Sequence, residues 1–296
     1  MYWVTQQLYL VMIENTKIGI IHLIWIPLGF NNYKNFIDSY LNVSAGHEHE
    51  LIFLFNGVKD ENELQPYFEY AEISKIKYKY FSLKNGQDIE AYFWVSEKLS
   101  GYTHFLFLNS FSIILYNDWL QYYVNAIELE GVGLVGATGS WQSHYSNVFH
   151  EYTIAYEFNK SFLYNFRKYK LMLKAFFYWR FLFPSFPSPH IRTNAFIVKR
   201  DVFLKLKKKK ITSKFDAYLF ENGRKGLSNQ LRKKGYQILV VDKFGNTYEP
   251  DRWPESKTFW IEEQQNLLIK DNQTKVYCEA NKYERKRLKQ LAWSNN

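Results

Sequence analysis

The sequence predicts an α/β fold, a mostly parallel, Rossmann-like sheet flanked by helices. Three observations carry that expectation. Short and almost wholly apolar runs recur, each closed by turn residues, as strands covered on both faces do. Between them lie segments whose apolar residues repeat at helical spacing. The two signals alternate from residue 18 to residue 137, the order that builds a parallel sheet.

Each element follows from its own residues. Residues 18–26 form an apolar run containing one His and closed by Pro27-Leu28-Gly29, a buried first strand. Residues 36–41 read as the end of a helix. Residues 50–55 are a second buried strand, closed by Asn56-Gly57. Residues 76–83 alternate Lys with aromatic side chains, which suggests a strand near a sheet edge, and close at Asn85-Gly86-Gln87-Asp88. Ile89, Tyr92, Phe93 and Ser96 share one helical face, with Asp88 as N-cap. Residues 103–108 are a strand that stops on Asn109-Ser110-Phe111-Ser112. Trp119, Leu120, Tyr123, Val124 and Ile127 repeat at helical spacing behind Asp118, and residues 132–137 form the next strand.

Residues 152–183 break the alternation. They are aromatic and basic, with no Gly or Pro before Pro184, and read as one or two inserted helices. Residues 184–189 contain three prolines and make a stiff connector. A returning strand at 193–198, a surface helix with a lysine run at 201–210, a short helix at 227–234 and a strand at 237–241 follow. The expected organisation is a single domain over residues 1–270, with a helical insertion at about 145–185. A polar, basic tail over 271–296 carries a helix near 283–291. Asp271-Asn272-Gln273-Thr274 at its start reads as a lid or a plain tail.

Composition narrows the function classes. The chain has 296 residues, 47% hydrophobic, enough for a sizeable core. Aromatics reach 20%, with 24 Tyr, 25 Phe and 9 Trp, a content suited to surfaces that meet sugars or lipid head groups. The single cysteine, Cys278, excludes an internal disulfide and a cysteine-rich zinc site. No apolar run is long enough to span a bilayer, and the first fifteen residues lack the features of a signal peptide. A cytoplasmic location is expected. The net charge of +9 is local: no Asp or Glu occurs between Phe158 and Arg200, a span that holds nine Lys and Arg residues. A basic, aromatic, amphipathic helix there suits peripheral contact with the inner face of the membrane through residues 152–183, or a partner interface.

The chemistry-bearing residues gather at strand ends. Gly131-Val132-Gly133-Leu134-Val135-Gly136 fits G-x-G-x-x-G, but a helix precedes it and the glycines run into a strand, so it is not a dinucleotide fingerprint. His47 and His49 lack a third partner for zinc. Four strands close on Pro27-Leu28-Gly29, Asn56-Gly57, Asn85-Gly86-Gln87-Asp88 and Asn109-Ser110. Each alone is ordinary turn chemistry. Together they line one sheet edge, where open α/β sheets bind ligands.

At these residues a family resemblance becomes specific. Glu50-Leu51-Ile52-Phe53-Leu54-Phe55-Asn56-Gly57 resembles the second strand of inverting family 2 glycosyltransferases with a GT-A fold. Asn85-Gly86, the helix after it and Leu108-Asn109-Ser110-Phe111 resemble that family's next block. Trp25-Ile26-Pro27-Leu28-Gly29, Asp118-Trp119-Leu120, residues 131–140, residues 189–196 and Phe220-Glu221-Asn222-Gly223-Arg224 are similar to its bacterial polysaccharide branch, of the O-antigen and capsule type. The resemblance covers about residues 18–241. It implies a GT-A-like catalytic domain that moves a sugar from a nucleotide sugar to a glycan or lipid-linked glycan, with inversion. It implies donor contacts at Pro27, Gly29, Asn56, Gly57, Asn85, Asp88, Asn109 and Ser110. His190 and Arg192, after the proline connector, are candidates for the acceptor or the diphosphate, and Arg192, Arg224 and Lys225 are candidates for the diphosphate by charge. The catalytic base would lie ahead of a helix like that at 227–236, and the nearest upstream acid is Glu221, about three residues from the usual place. The family's base-reading acid is replaced by Asn56. Its metal-binding Asp-x-Asp reads Asn109-Ser110-Phe111, so a divalent metal, Mg2+ or Mn2+, is left without assigned ligands. Two other readings stay open: a catalytically inactive relative, and a basic, aromatic-rich protein that binds nucleic acid or a partner. Nucleic acid is not expected, because the excess charge is confined to one segment.

Overall fold

The structure, a computed structural model, describes residues 16–149 and 162–294. Eight strands form one sheet: β1 (Ile18–Trp25), β2 (Glu50–Asn56), β3 (Tyr78–Leu83), β4 (His104–Leu108), β6 (Val132–Gly136), β9 (Ala195–Lys199), β10 (Gln237–Val241) and β11 (Thr247–Tyr248). Their spatial order is β11-β10-β6-β9-β4-β1-β2-β3. β1, β2, β3, β4, β6 and β10 run in one direction, and β9 and β11 oppose them. The expected mostly parallel sheet is therefore present, and the Lys-aromatic strand is an edge strand. Short two-stranded pairs, β5 (Ile113–Ile114) with β12 (Ile269–Lys270) and β7 (Gly139–Ser140) with β8 (His190–Ile191), were not legible in the sequence.

The strands are apolar throughout because both faces are covered. On β4, Phe105 and Phe107 face one core while Leu106 and Leu108 face the other, and all four are fully buried. Burying such a side chain contributes roughly 1.5–3 kcal/mol. Helices α1 (Phe30–Asn42), α2 (Gln65–Ile73) and α4 (Trp119–Ile127) cover one face. The other is covered by α3 (Asp88–Lys98), α6 (Arg200–Leu204), α7 (Lys214–Asn222) and α8 (Leu227–Lys233). The inserted helix α5 (Phe162–Lys174) continues through a π-helical turn, Ala175–Trp179, and a last turn, Arg180–Leu182. Residues 152–161 of the expected insertion lie outside the described residues. At the C-terminus, α9 (Asn272–Glu279) and α10 (Lys282–Trp293) bury Tyr277, Leu288, Leu291, Ala292 and Trp293 in the same core as α3 and α7. Asp271 caps α9 in a reciprocal box with Thr274.

Two expectations of secondary structure are corrected. Asp88 is not the N-cap of α3: Gln87 is, and Asp88 is the first helical residue. The 201–210 helix ends at Leu204, because the Gln230 side chain accepts from Lys207 N at 2.8 Å and donates to Lys207 O at 2.7 Å, holding the lysine run as loop. Helix α2 gave almost no sequence signal, since it buries only Tyr67 and Ala71.

Candidate functional site

The strand order places the site. Moving outward from β1, the chain lays β2 and β3 on one side and β4 on the other. The loops leaving the carboxyl ends of β1 and β4 therefore diverge, and such a switch point is where open α/β sheets bind ligands. The two ends are tied together: Trp25 N donates to Ser110 Oγ at 2.9 Å. Registry brings the neighbouring ends level, with Trp25 opposite Asn56 and Asn56 opposite Leu83. All eight expected donor residues thus share one edge.

Within that edge the side chains have distinct duties. Ser110 is buried and committed to Trp25. Asn56 is fully buried; its Nδ2 donates to Gly86 O at 2.9 Å, while its Oδ1 has no partner among the described residues. Gly57 sits at φ +83, and a Cβ there would come within 2.9 Å of the Trp25 ring and 3.0 Å of Pro27. Only glycine fits both demands. Pro27, Gly29 and Asn85 are exposed at the rim. Asp88 is exposed, yet the protein crowded round it raises its carboxyl above the usual range. Asn109 Oδ1 accepts from Phe111 N at 3.0 Å and Ser112 Oγ at 3.2 Å, so it holds its own turn.

The far half of the same edge is built by β6, β9 and α7. Asn109 N donates to Asn194 O at 2.9 Å, Thr138 Oγ1 to Asn194 Oδ1 at 3.1 Å, and Arg192 N to Thr138 O at 3.1 Å. Helix α7 starts at a capping box between Ser213 and Asp216, and ends at Gly223, where a Cβ would lie 2.4 Å from Leu219 O. That fixes Glu221 in the last turn, where Thr193 Oγ1 donates to its Oε2 at 3.2 Å. His144, its ring tilted against Tyr218 at 4.4 Å, is held near 4 by burial; the Glu221 charge opposes that shift, and His190 and Arg192 add to it. Glu221, His144, Thr193 and Arg192 form one cluster.

His190 and Arg224 are placed differently. His190 is buried, its Nδ1 donates to Ser188 O at 2.8 Å, and burial holds it near 4, so it is neutral and lies beneath the surface of the site. Arg224 sends Nε and Nη2 to Arg180 O at 3.1 and 3.0 Å. Arg192 lies over the Phe259 ring at 4.6 Å, with a buried Nε that has no partner among the described residues. Sequence reasoning missed His144 and did not single out Thr138 or Asn194 within residues 131–140 and 189–196; all three acquire meaning only through long-range contacts.

A divalent metal does not fit the residues at the Asp-x-Asp position. Asn109 Oδ1 is occupied, Phe111 offers no oxygen, and no group of three or more His, Cys, Asp or Glu among the described residues converges as a metal site. The other motifs set aside have structural work. Gly133 and Gly136 make room for Tyr236 and Ile191. The His49 ring nitrogens meet His47 O and Tyr40 OH. A cavity of about 900 Å³ at the opposite sheet edge, lined by Lys17, His47 and Glu50, borders Thr16, the first described residue, and lies far from these strand ends.

No protein-family model matches the chain, and no curated protein matches it in sequence. Three solved structures illustrate what its backbone is similar to. One is 4-diphosphocytidyl-2C-methyl-D-erythritol synthase from Anaerococcus prevotii, 11% identical, with 78% of this chain and 88% of that chain covered at a TM-score of 0.42. Another is the mannosyltransferase PcManGT from Pyrobaculum calidifontis in complex with GDP-Man and Mn2+, 9% identical, with 81% and 59% covered at 0.47. A third is GalNAc-T7 with UDP, GalNAc and Mn2+, 11% identical, with 92% and 51% covered at 0.46. The chain spans little more than half the length of the last two.

Proposed function

We propose that the chain is a glycosyltransferase of GT-A type that transfers a sugar from a nucleotide sugar to a hydroxyl of a glycan or lipid-linked glycan, with inversion. The observation that carries this reading is the position of Glu221. It stands on the same sheet edge as the switch point, held by Thr193, one residue from the Asn194 that bonds the end of β4. In the proposed reaction the acceptor oxygen attacks the anomeric carbon opposite the leaving group. Glu221 takes the acceptor's proton, and the nucleoside diphosphate departs with the electrons of the broken C–O bond. Arg192 supplies positive charge toward the departing diphosphate. The nucleoside lies along Pro27, Gly29, Asn56 and Gly57, with Asp88 and Asn85 at the rim.

Titration calorimetry with a panel of nucleotides and nucleotide sugars tests the reading. Micromolar to millimolar binding of one nucleotide class is expected, and its competition by the matching nucleotide sugar. Failure of every nucleotide to bind overturns it. Asn109-Ser110-Phe111 favours a second reading, a nucleotide-binding relative without transfer, which predicts binding with no turnover for any acceptor.

A further inference from the structure

We propose that the end of α5 and the lysine loops beside it form one docking face for an anionic phospholipid bilayer. The first observation is apolar. Phe177 and Phe181 are each 64% exposed and Tyr178 54%, on a helix whose opposite side buries Ala175 and rests Trp179 on Phe215. These rings stand on the outer side of the helix, not in a groove, so they are presented to a surface. Large exposed aromatic patches on a folded chain mark interaction sites.

The second observation is charge, and it extends the face well beyond α5. Arg224 bonds Arg180 O through both Nε and Nη2, and Arg224 N donates to Leu182 O at 2.8 Å, so the loop after α7 is fastened to the aromatic turn. Gln230 Nε2 then bonds both Lys225 O at 2.8 Å and Lys207 O at 2.7 Å, drawing the two basic loops side by side. Lys234 Nζ reaches Lys205 O at 3.1 Å. Lys205, Lys207, Lys225, Lys233 and Lys234 are exposed and make no ion pair with a described residue. Two nearby acids are engaged elsewhere: Glu90 with Lys208 and Asp201 with Arg200.

Exposed rings bordered by unpaired cations match the chemistry of a bilayer surface. The rings enter the boundary between head groups and acyl chains, and the lysines neutralise lipid phosphates. The α5 helix is too short and polar to cross the membrane, and no described helix is long and apolar enough to do so. The chain would therefore lie on the surface. The face is defined without reference to catalysis, and its test stands apart from that of the glycosyltransferase reading.

The test is vesicle co-flotation at physiological salt. Vesicles of phosphatidylcholine alone are compared with vesicles containing about one third phosphatidylglycerol, and a single-stranded RNA oligonucleotide is the competing ligand. The full chain is expected to float with the anionic vesicles and not with the neutral ones. Phe177→Ser with Phe181→Ser, and separately Lys205→Ala with Lys207→Ala and Lys233→Ala, should each weaken partitioning. The triple lysine change is expected to weaken it on the order of 100-fold, from the attraction of each basic residue to an anionic leaflet. Circular dichroism and an unchanged thermal unfolding midpoint show that the variants are folded. Failure of the unaltered chain to float overturns the proposal, as does RNA binding that displaces the vesicles. Unchanged partitioning of either variant also overturns it, because the face requires both rings and charge.

Discussion

Thr193 donates its hydroxyl to Glu221 Oε2 at 3.2 Å, and so joins the strand that returns against β4 to the last turn of α7. Twenty-eight residues separate the pair in sequence. Their contact sets a carboxylate over the carboxyl edge of the sheet and leaves its second oxygen free of this bond.

Glu221→Gln should keep the fold and the nucleotide affinity and lower transfer by about 10²–10⁴-fold, the range of general-base catalysis. Thr193→Val should cost less, through misorientation. Steady-state transfer and calorimetry on the same preparations check this. Transfer that survives in the Gln variant removes Glu221 as base.

Ser110→Ala should destabilise the chain by about 1–3 kcal/mol, because Trp25 N loses its acceptor at the junction of β1 and β4. Nucleotide affinity should fall with it, since that bond holds the two sides of the switch point together. Urea denaturation, followed by tryptophan fluorescence, gives the first quantity. An unchanged midpoint would show that water or another acceptor replaces the hydroxyl.

His22 should make the fold acid-sensitive. It is fully buried, stacked on Phe36 at 3.7 Å, and held near 3 by burial. The Asn109 backbone opposes that shift only in part, and neither ring nitrogen reaches hydrogen-bond geometry. Between about 3 and its ordinary 6.5, the unfolded chain binds the proton and the folded chain does not. Stability is then complete above 6.5 and declines as pH falls through that window, by about 2 kcal/mol at pH 5. His22→Phe should flatten the dependence of Tm on pH between 7 and 5. An equal slope in both proteins would assign the acid sensitivity to the other lowered histidines, His49, His104, His144 and His190.

Chelation should change nucleoside diphosphate affinity less than about tenfold. The positions expected to hold a metal are a neutral amide already bonded in its turn and a phenyl ring, and a hard divalent cation is held mainly by carboxylate oxygens. Calorimetry with EDTA and with added Mn2+ checks this. Binding that requires Mn2+ would mean that the ligands come from elsewhere in the site.

The sequence by itself determined seven of the eight strands of the main sheet, most helices and the turn residues that end them, because these signals are local. An apolar run between Pro, Gly and Asn announces a buried strand wherever it lies. It also placed Asn56, Gly57, Asn109 and Ser110 at strand ends, and parallel pairing then had to gather them at one edge. Helix α2 escaped because it hides too few apolar residues to show a period, and the lysine loop at 205–210 because Gln230, some twenty residues on, decides its shape.

What only the tertiary structure decided is which polar groups meet. Glu221 gained Thr193 and His144, His190 went beneath the surface, and Arg224 turned to the Arg180 carbonyl. No spacing in the chain encodes those outcomes, since each is settled by packing between segments brought together from far apart. A buried polar group takes whatever partner that packing supplies.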